Sequence, residues 1–322
     1  MKSFVKRLVK VFAAAFLGAA VSVNVVAFMQ ARAMTRFAQS GERTTRPEQL
    51  GFLETAAVFI SGVNVPRPQN SRTPAAFDLP FETYRFTSEN GATIEAWYVA
   101  GKDERMIVAL FHGYAASKST LLSAARGFHE LGYGTLLVDF YGSGGSSGTD
   151  TSLGVEEARD VAAAMNFIRQ KWPGRKVVLY GISMGGAAVL RAVATEAINP
   201  DAIIVESTFD TLMNTARSRF HATGLPGTPF SELLIFWGSL QRGFNFFAHN
   251  PVDYARSVKC PALILHGEKD ERAPPEQARS IAQATGDKAH LIIYSGVPHM
   301  PIVDARPSEW RSDVSEFLQG IL

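Results

Sequence analysis

The stretch KVVLYGISMGGAAVLRAVATEA, residues 176–197, decides the fold because its character changes at its centre. A short apolar run typical of a buried strand is followed by an alanine-rich run with the length of a helix. Between them, Gly181 and Gly185 flank Ser183 at a turn so sharp that side chains on the flanking residues would collide. This order predicts that the Ser183 hydroxyl projects above a sheet, at the positive end of a helix. The alternative is a tight turn with no chemical role.

Apolar strands and helices alternate on both sides of this stretch. Besides residues 176–183, strands are predicted at 81–88, 93–99, 105–112, 133–140, 201–208, 261–270 and 289–296. Helices are predicted at 117–132, 155–172, 184–197, 275–286 and 303–322. Strands that are apolar throughout need cover on both faces, and ENGA at 89–92 indicates a hairpin at one edge. The predicted fold class is α/β, with a mostly parallel eight-stranded sheet and helices on both faces.

One interval, from Phe209 to Cys260, breaks the alternation. It is about 50 residues long, too long for a plain connection, and it is rich in Phe, Trp, Leu and Pro. We expect a small helical lid over one edge of the sheet, at about residues 209–260. Its aromatic residues predict either an apolar underside above a site or plain packing on the core: Phe230, Phe236, Trp237, Phe244, Phe246 and Phe247.

A serine hydroxyl needs a base to take its proton, and the imidazole of that base needs a carboxylate to orient it. His299 follows the last predicted strand in SGVPHM, and Asp270 follows the preceding strand in LILHGEKDERAP. The carboxyl ends of parallel strands meet at one edge of a sheet, so Ser183, Asp270 and His299 are the candidate catalytic residues. Glu206, at the end of another strand, is the alternative acid.

Two backbone amides are needed to bind the oxyanion of a tetrahedral intermediate. The first is expected from Met184, directly after the candidate nucleophile. The second is expected from Tyr114, in the loop FHGYAAS after the third strand. His112 and Gly113 in the same loop are candidate substrate-binding residues.

Other kinds of site find little support in the sequence. The glycine-rich DFYGSGGSSG at 139–148 lacks the Lys-Ser/Thr ending of a phosphate-binding loop and the spacing of a dinucleotide fingerprint, so we expect a flexible active-site loop there. No histidine and carboxylate cluster has metal-ligand spacing. The single cysteine, Cys260, excludes an intrachain disulfide.

Five motifs together resemble the α/β-hydrolase superfamily, and within it the serine aminopeptidase (S33)-like and monoacylglycerol-lipase-like esterases. They are FHGYAAS, DFYGSGGSSG, YGISMGG, LHGEKD and SGVPHM, in the order and spacing of that superfamily. The resemblance covers residues 80–322 and implies hydrolysis of esters, thioesters or, less often, peptides, without a cofactor. One departure is YGSGG, where many relatives carry Arg-Gly-His-Gly, so the detailed role of that loop does not carry over.

The net charge of +2 hides an asymmetry along the chain. Residues 1–46 carry eight basic side chains and one acidic side chain, whereas residues 47–322 carry 24 basic and 29 acidic ones. The folded part is therefore mildly acidic, which argues against a nucleic-acid partner. The basic N-terminus is better suited to a membrane surface.

The segment Val11–Ala31 has 21 residues without a charge, close to the roughly 20 that a membrane-spanning helix needs. An uncleaved single-pass anchor is the favoured interpretation. A cleaved signal, with sites at residues 18–20 or 31–33, and a buried helix are the alternatives. Four basic side chains precede the segment and four follow within about 15 residues, so the positive-inside count is nearly tied. The free amine and the very short N-terminal tail favour an N-inside orientation, which places the remainder outside the cytoplasm, in the periplasm or outside the cell.

The expected domains are therefore a membrane segment at 1–34, a connector at 35–79 and a catalytic domain at 80–322. Within the connector, residues 50–63 predict a helix packed on the domain or lying at the membrane surface, and residues 65–74 predict an extended link.

The sequence thus predicts a membrane-tethered serine hydrolase that cleaves acyl or lipid-like carboxylic esters. One alternative is a peptidase that removes N-terminal residues, for which Glu206 is the candidate to hold the substrate amine. Another is a non-catalytic scaffold with the same fold, against which an intact set of catalytic residues argues.

Overall fold

The computed structural model describes residues 2–45, 51, 58, 62–222, 224 and 226–322. The strands are β1 (Glu82–Thr87), β2 (Thr93–Val99), β3 (Asp103–Phe111), β4 (Tyr133–Val138), β5 (Lys176–Ile182), β6 (Ala202–Glu206), β7 (Ala262–Gly267) and β8 (Ala289–Tyr294). The helices are α1 (Lys2–Thr35), α2 (Leu122–Glu130), α3 (Glu157–Lys171), α4 (Met184–Thr195), α5 (Leu212–Ala222), α6 (Phe230–Arg242), α7 (Pro251–Ala255), α8 (Pro275–Thr285), α9 (Ile302–Ala305) and α10 (Pro307–Gln319). Short 3-10 segments occupy Pro74–Phe77, Lys118–Leu121, Phe246–Ala248 and Gly286–Lys288.

The strands form a single eight-stranded sheet in the order β1-β2-β4-β3-β5-β6-β7-β8. The pairs from β4 through β3 to β8 are parallel, and β2 runs antiparallel to both β1 and β4. The predicted fold class is confirmed, including the hairpin at one edge. The order reverses between β3 and β5, which brings the loops after these strands together, where α/β sheets form their sites.

Both faces of the sheet are buried, as the continuous apolar runs predicted. Along β3, Ile107, Ala109 and Phe111 point into one core with α3, α4 and α8. The alternate residues of the same strand, Met106 and Leu110 among them, point into a second core with α2 and α10. Side chains of a strand alternate between faces, so a strand covered on both sides has no polar face.

The predicted C-terminal helix is divided in two. Helix α9 ends at Ala305, Arg306 adopts φ −138° and ψ 62°, and α10 starts at Pro307. A proline disfavours helical geometry in the residue before it but is well placed in the first turn of a helix, so Pro307 both ends α9 and opens α10.

The insertion between β6 and β7 is helical, as predicted, and consists of α5, α6, a 3-10 turn and α7. A small apolar cluster joins the insertion to the rest of the domain, and Phe209, Leu212, Ile235 and Phe246 are buried in this cluster. The aromatic side chains of the insertion differ in exposure: Phe246 is buried, whereas Phe236 and Phe247 are exposed.

Helix α1 contains the one segment of the described residues that is long and apolar enough to cross a membrane; a signal sequence has the same properties. Its first half is exposed, including Phe12, Phe16 and Leu17, but Ala31 in its second half is 2% exposed and packs beside α6. The segment predicted at 1–34 is thus joined to the α/β domain by packing as well as by the chain. The helix predicted at 50–63 lies almost entirely outside the described residues.

The glycine-rich loop after β4 is held firmly by the connector, contrary to the expected flexible active-site loop. Arg67 donates hydrogen bonds to the carbonyl oxygens of Gly148, Gly144 and Ser146 at 2.9, 3.0 and 2.6 Å. A guanidinium has five donors in a fixed plane and can therefore bind several carbonyls at once.

A buried ion cluster fixes the loops after β3 and β4 to each other. Lys118 Nζ is fully buried and contacts both Asp139 and Glu95, the latter at 2.9 Å, and it lies 4.3 Å from the centre of the Trp97 ring. Asp139 also accepts hydrogen bonds from the amides of Lys118 and Gly145, at 2.7 and 2.8 Å. Burial is the largest single influence and raises the pKa of Asp139, but the charge of Lys118, the neighbouring His112 and the hydrogen bonds from Lys118 together lower it by more, so the net pKa is below its usual range.

We expect Lys118→Met to lower the free energy of unfolding by roughly 3–5 kcal/mol, because Asp139 would remain buried without its cation. The double variant Lys118→Met/Asp139→Asn should lose less stability than Lys118→Met, since no uncompensated charge stays behind. Denaturant unfolding of the three proteins measures both differences. A double variant less stable than the single one would show that the charge pair is not the stabilising feature.

Candidate active site

The turn from β5 into α4 brings Ser183 to φ 53° and ψ −116°, a strained conformation for a residue with a side chain. The Ser183 amide donates to the carbonyl of Glu206 on the neighbouring strand at 2.7 Å. A Cβ at Gly185 would lie 2.3 Å from the carbonyl oxygen of Phe111, and one at Gly181 would lie 2.5 Å from the backbone of Gly185. Both predicted glycines are therefore required by close backbone contact.

A third glycine in this turn was not singled out from the sequence. A Cβ at Gly186 would lie 2.0 Å from Thr208 Oγ1, in the loop after β6. The GG pair in SMGG was visible, but only the tertiary position of Thr208 shows why the second glycine is needed.

The loops after β7 and β8 bring Asp270 and His299 together. Nδ1 of His299 lies 2.7 Å from Oδ2 of Asp270, and Oδ1 accepts the backbone amides of Arg272 and Ala273 at 3.0 and 2.9 Å. The carboxyl group is fully buried. A carboxylate oxygen only accepts hydrogen bonds, so Nδ1 is the protonated nitrogen and Nε2 keeps its lone pair.

Glu268 connects the same two loops from the outside. Its carboxylate accepts hydrogen bonds from Ser295 Oγ at 2.8 Å and from the Gly296 amide at 2.9 Å. The hydrogen bond from Ser295 lowers the pKa of the Glu268 carboxyl. Although exposed, Glu268 therefore helps to set the distance between the loop of Asp270 and the loop of His299.

Glu206 lies in the core beneath the site and not in the cavity. Its carboxyl group is fully buried and accepts hydrogen bonds from Tyr180 Oη at 2.7 Å and from the Ile302 amide at 2.8 Å. Burial raises its pKa to about 7. The structure thus gives Glu206 a positioning role, between β5, β6 and the segment after His299. This placement corrects the expectation that it holds substrate, and Asp270 occupies the position beside His299.

His112 is likewise buried, and both of its ring nitrogens bind backbone. Nδ1 lies 2.9 Å from the carbonyl oxygen of Gly113, and Nε2 accepts the amide of Phe140 at 3.1 Å. Burial lowers the pKa of the imidazole, which keeps it neutral. His112 therefore shapes the loop after β3 and does not face the cavity, contrary to its proposed substrate contact, whereas Gly113 does line it.

Ser183 and His299 line a common cavity of about 480 Å³ beneath the helical insertion. Gly113 and Tyr114 line it from the loop after β3, and the insertion contributes the apolar side chains Phe209, Phe220, Phe230 and Leu234. A smaller cavity of about 80 Å³ shares Ser183 and Tyr114 and is otherwise mostly apolar, with Leu212, Ile235 and Phe246 among its walls. Two chambers thus meet at the Ser183 side chain.

The two residues whose amides are predicted to bind an oxyanion both line the smaller chamber. Met184 follows Ser183 at the first position of α4, and Tyr114 lines both chambers. In the described part of the chain, neither amide donates a hydrogen bond to another backbone or side-chain group. Both amides are therefore available as donors.

The cavity contains a group of arginines that the sequence did not predict. Arg43, Arg219 and Arg272 line it, and none of its described lining residues is acidic. Arg219 lies over the Tyr114 ring at 5.4 Å, and Nη1 of Arg43 donates to the carbonyl oxygen of Ala115 at 3.1 Å. The three arginines come from the connector, the insertion and the loop after β7, so their proximity exists only in the folded chain.

The described residues contain no group of three or more His, Cys, Asp or Glu side chains arranged to hold a metal ion. The arrangement at Ser183 contains a hydroxyl at the wall of the cavity, a histidine bound to a carboxylate, and two amides without a hydrogen-bond acceptor among the described residues. This is the set of groups that acyl transfer requires.

The eight-stranded sheet and the turn at Ser183 together define the class of protein: the chain has the α/β-hydrolase fold. Residues 102–224 match the sequence model of the family described as "Serine aminopeptidase, S33", which confirms the resemblance seen in the sequence.

The sequence identity to individual proteins is low. The chain is 26% identical to protein bem46 of Schizosaccharomyces pombe (strain 972 / ATCC 24843) over 238 residues, which cover 71% of this chain and 74% of that protein. It is 24% identical to the lysophosphatidylserine lipase ABHD12 of Macaca fascicularis over 264 residues, 71% of this chain and 63% of that one. Esterase PF2001 of Pyrococcus furiosus superposes with a TM-score of 0.67 at 23% identity, over 80% of this chain and 97% of that one. The comparisons support a hydrolase with lipase- and esterase-like relatives.

The raised pKa of Glu206 predicts how stability changes with pH. The unfolded carboxyl ionises near 4.5 and the folded one near 7, so the folded state binds the extra proton between these values, and stability falls as pH rises through this window. In Glu206→Gln the amide oxygen can accept from the Ile302 amide and the amide nitrogen can donate to Tyr180 Oη, and the side chain has no charge. We expect the free energy of unfolding of the variant, relative to that of the wild type, to increase by about 3 kcal/mol between pH 4.5 and pH 8.

Denaturant unfolding across this pH range measures the difference. Asp160, whose pKa burial also raises to about 7, titrates in both proteins, and its contribution therefore cancels. A stability difference that stays constant with pH would show that Glu206 is already ionised in the fold.

Proposed function

We propose that the protein is a serine hydrolase that cleaves carboxylic esters of acyl or lipid-like character. The observation that carries this proposal is the convergence of two loops and a strained turn on one cavity. The turn presents Ser183, and the loops present His299 with its Nδ1 bound to Asp270 at 2.7 Å. A backbone strain of this kind persists only where the surrounding fold enforces it, and it is typical of active sites.

In the proposed reaction, Ser183 Oγ attacks the ester carbonyl carbon while its proton passes to Nε2 of His299. The carbonyl oxygen becomes an oxyanion, for which the amides of Met184 and Tyr114 are the donors. The carbon–oxygen bond to the alcohol then breaks, and the departing alkoxide takes the proton from His299. Asp270 keeps the ring oriented and stabilises its charged form.

Water completes the cycle. His299 removes a proton from a water molecule, whose oxygen attacks the acyl-enzyme carbonyl, and the second tetrahedral intermediate uses the same two amides. The bond to Ser183 Oγ breaks as the serine regains its proton from His299, and the carboxylic acid leaves. No cofactor takes part in this scheme.

The lining of the cavity supports an apolar acyl group. The underside of the insertion presents Phe209, Phe220, Phe230 and Leu234, and the smaller chamber extends the apolar surface from Ser183. Burying each methylene of an acyl chain against such a surface contributes roughly 0.8 kcal/mol. The naming of a relative as a lipase agrees with this preference.

The proposal places the enzyme on a membrane. Helix α1 serves as a single-pass anchor, with Lys6, Arg7 and Lys10 before its charge-free stretch on the cytoplasmic side. The catalytic domain then lies outside the cytoplasm, in the periplasm or outside the cell.

An aminopeptidase is the less favoured reaction. It would need an acidic group to hold the substrate amine, but the Glu206 carboxyl is buried in the core, and the described cavity walls contain three arginines and no acid. The described walls therefore offer no carboxylate to hold a substrate amine. A scaffold without activity would have no need for the strained Ser183 or for the His299–Asp270 pair.

The test is turnover of p-nitrophenyl esters of increasing chain length by the full-length protein in detergent micelles. We expect Ser183→Ala to lower kcat by roughly 10³-fold or more and to abolish labelling by a fluorophosphonate probe. The matched control is Ser207→Ala, at a serine that lines the same cavity with φ 50°, and it should keep the labelling.

Labelling that persists in Ser183→Ala would assign the nucleophile to another residue. Absence of both turnover and labelling in the wild type would contradict the hydrolase and favour the scaffold. Labelling without ester turnover would direct the search to peptides.

A further inference from the structure

Helix α1 supplies one wall of the cavity that holds Ser183. Val23, Val26, Ala27, Gln30 and Met34 line the larger chamber. These residues recur every three or four positions, which is the spacing of one helix face. The neighbouring Val25 points away and is 51% exposed. One face of the second half of α1 is thus part of the site, although the sequence predicts this segment as a membrane anchor or a signal.

Specific contacts hold α1 against the insertion. Asn24 Oδ1 accepts a hydrogen bond from Trp237 Nε1 at 3.2 Å, and the carbonyl oxygen of Phe28 accepts one from Gln241 Nε2 at 2.8 Å. The rings of Phe28 and Trp237 meet edge to face at 5.4 Å. Gly238 of α6 faces Ala31, and the lack of a side chain there lets the two helices approach closely.

The end of α1 is fixed to the catalytic residues. The carbonyl oxygen of Met34 accepts a hydrogen bond from Tyr114 Oη at 2.7 Å, and that of Thr35 accepts the Thr151 amide at 3.0 Å. Tyr114 is the residue whose amide is proposed to bind the oxyanion. The position of α1 and the position of the Tyr114 amide are therefore connected through the Tyr114 side chain.

The same residues lie at the depth of a membrane. The charge-free stretch Val11–Ala31 has 21 residues, and roughly 20 are needed to cross the hydrocarbon core, so residues 23–31 belong to the crossing segment. The segment cannot shift towards the N-terminus without taking Lys6, Arg7 and Lys10 into the core, which is costly. Because this stretch is centred on residue 21, the cavity wall formed by Val23, Val26 and Ala27 lies in the outer half of the hydrocarbon core.

The insertion carries an exposed apolar surface beside this part of α1. Phe236, Leu240 and Phe247 are 48%, 64% and 44% exposed, and Phe236 lies 5.2 Å from the ring of Trp237, which itself contacts α1. Apolar side chains exposed together next to a membrane helix are typical of a surface that rests in the bilayer.

From these contacts we propose that α1 is a wall of the substrate cavity as well as an anchor, and that the cavity receives the acyl chain of a lipid ester directly from the bilayer. The inference rests on the proposed esterase function. It requires that α1 stay attached. Cleavage at residues 31–33 would remove Val23, Val26, Ala27 and Gln30 from the wall, whereas cleavage at residues 18–20 would leave the wall but remove the first half of the anchor.

The first experiment compares Val26→Trp with Val25→Trp in the full-length protein in detergent micelles. The two valines are neighbours, but only Val26 faces the cavity. We expect Val26→Trp to lower the ratio of kcat/KM for p-nitrophenyl dodecanoate to that for p-nitrophenyl acetate by roughly tenfold or more, since the indole would occupy space for the chain. Val25→Trp should leave this ratio within about twofold of the wild type.

Fluorophosphonate labelling of Ser183 shows whether both variants are folded. If both are labelled, equal ratios of dodecanoate to acetate kcat/KM in the two variants would show that α1 is not a wall of the cavity. If the wild type neither hydrolyses p-nitrophenyl acetate nor is labelled by the probe, the proposed hydrolase function would instead be refuted. Failure of the inference and failure of the function are therefore distinguishable.

The second experiment tests entry from the bilayer. The protein is reconstituted in phosphatidylcholine vesicles that contain a fluorogenic long-chain lipid ester, and Leu240→Asp is compared with Leu322→Asp, at a C-terminal leucine that is 38% exposed. We expect Leu240→Asp to lower the ratio of vesicle turnover to p-nitrophenyl acetate turnover by roughly tenfold, because the charge would lift the insertion from the membrane. Leu322→Asp should not lower it. An unchanged ratio in Leu240→Asp would overturn bilayer entry.

Discussion

The close approach of backbone segments at the turn between β5 and α4 is the constraint on which the site depends. The Ser183 amide is fixed to β6, and Gly185 lies so near the end of β3 that any side chain would strike the Phe111 carbonyl. These contacts hold Ser183 in its strained conformation, and they bring the ends of three neighbouring strands into one tight group. Every other candidate residue reaches the site from a loop that starts at this group or beside it.

Buried polar groups set the positions of those loops. Lys118 and Asp139 connect the loops after β3 and β4, and Glu206 connects β5 and β6 to the segment after His299. Each group would be costly to bury alone, so each is stable only with its partners in place. The resulting network rigidifies the scaffold and leaves the walls of the cavity to the insertion and to α1. Rigid placement of the reacting groups is consistent with acyl transfer, in which small displacements of those groups reduce the rate strongly.

The apolar N-terminal segment and the α/β domain are distinct in sequence but not in space. Charge and hydropathy divide the chain near residue 34, yet Asn24 and Phe28 bind the insertion, and Met34 binds Tyr114. A helix that is apolar on all sides can face lipid with one side and a cavity with the other, because both surroundings accept the same side chains. The sequence pattern therefore shows that the segment is apolar but does not show which of its residues face protein.

The sequence by itself determined the eight strands, their order of alternation with helices, the Gly-Ser-Gly turn and the candidates His299 and Asp270. These features are local patterns of period and spacing, and their physical causes act within a few residues. Only the tertiary structure decided that Glu206 and His112 lie in the core, that Gly186 must lack a side chain, and that Arg43, Arg219 and Arg272 share a cavity with α1. Those outcomes depend on which distant segments meet, and the burial of a side chain or the charge around it is fixed only when they do.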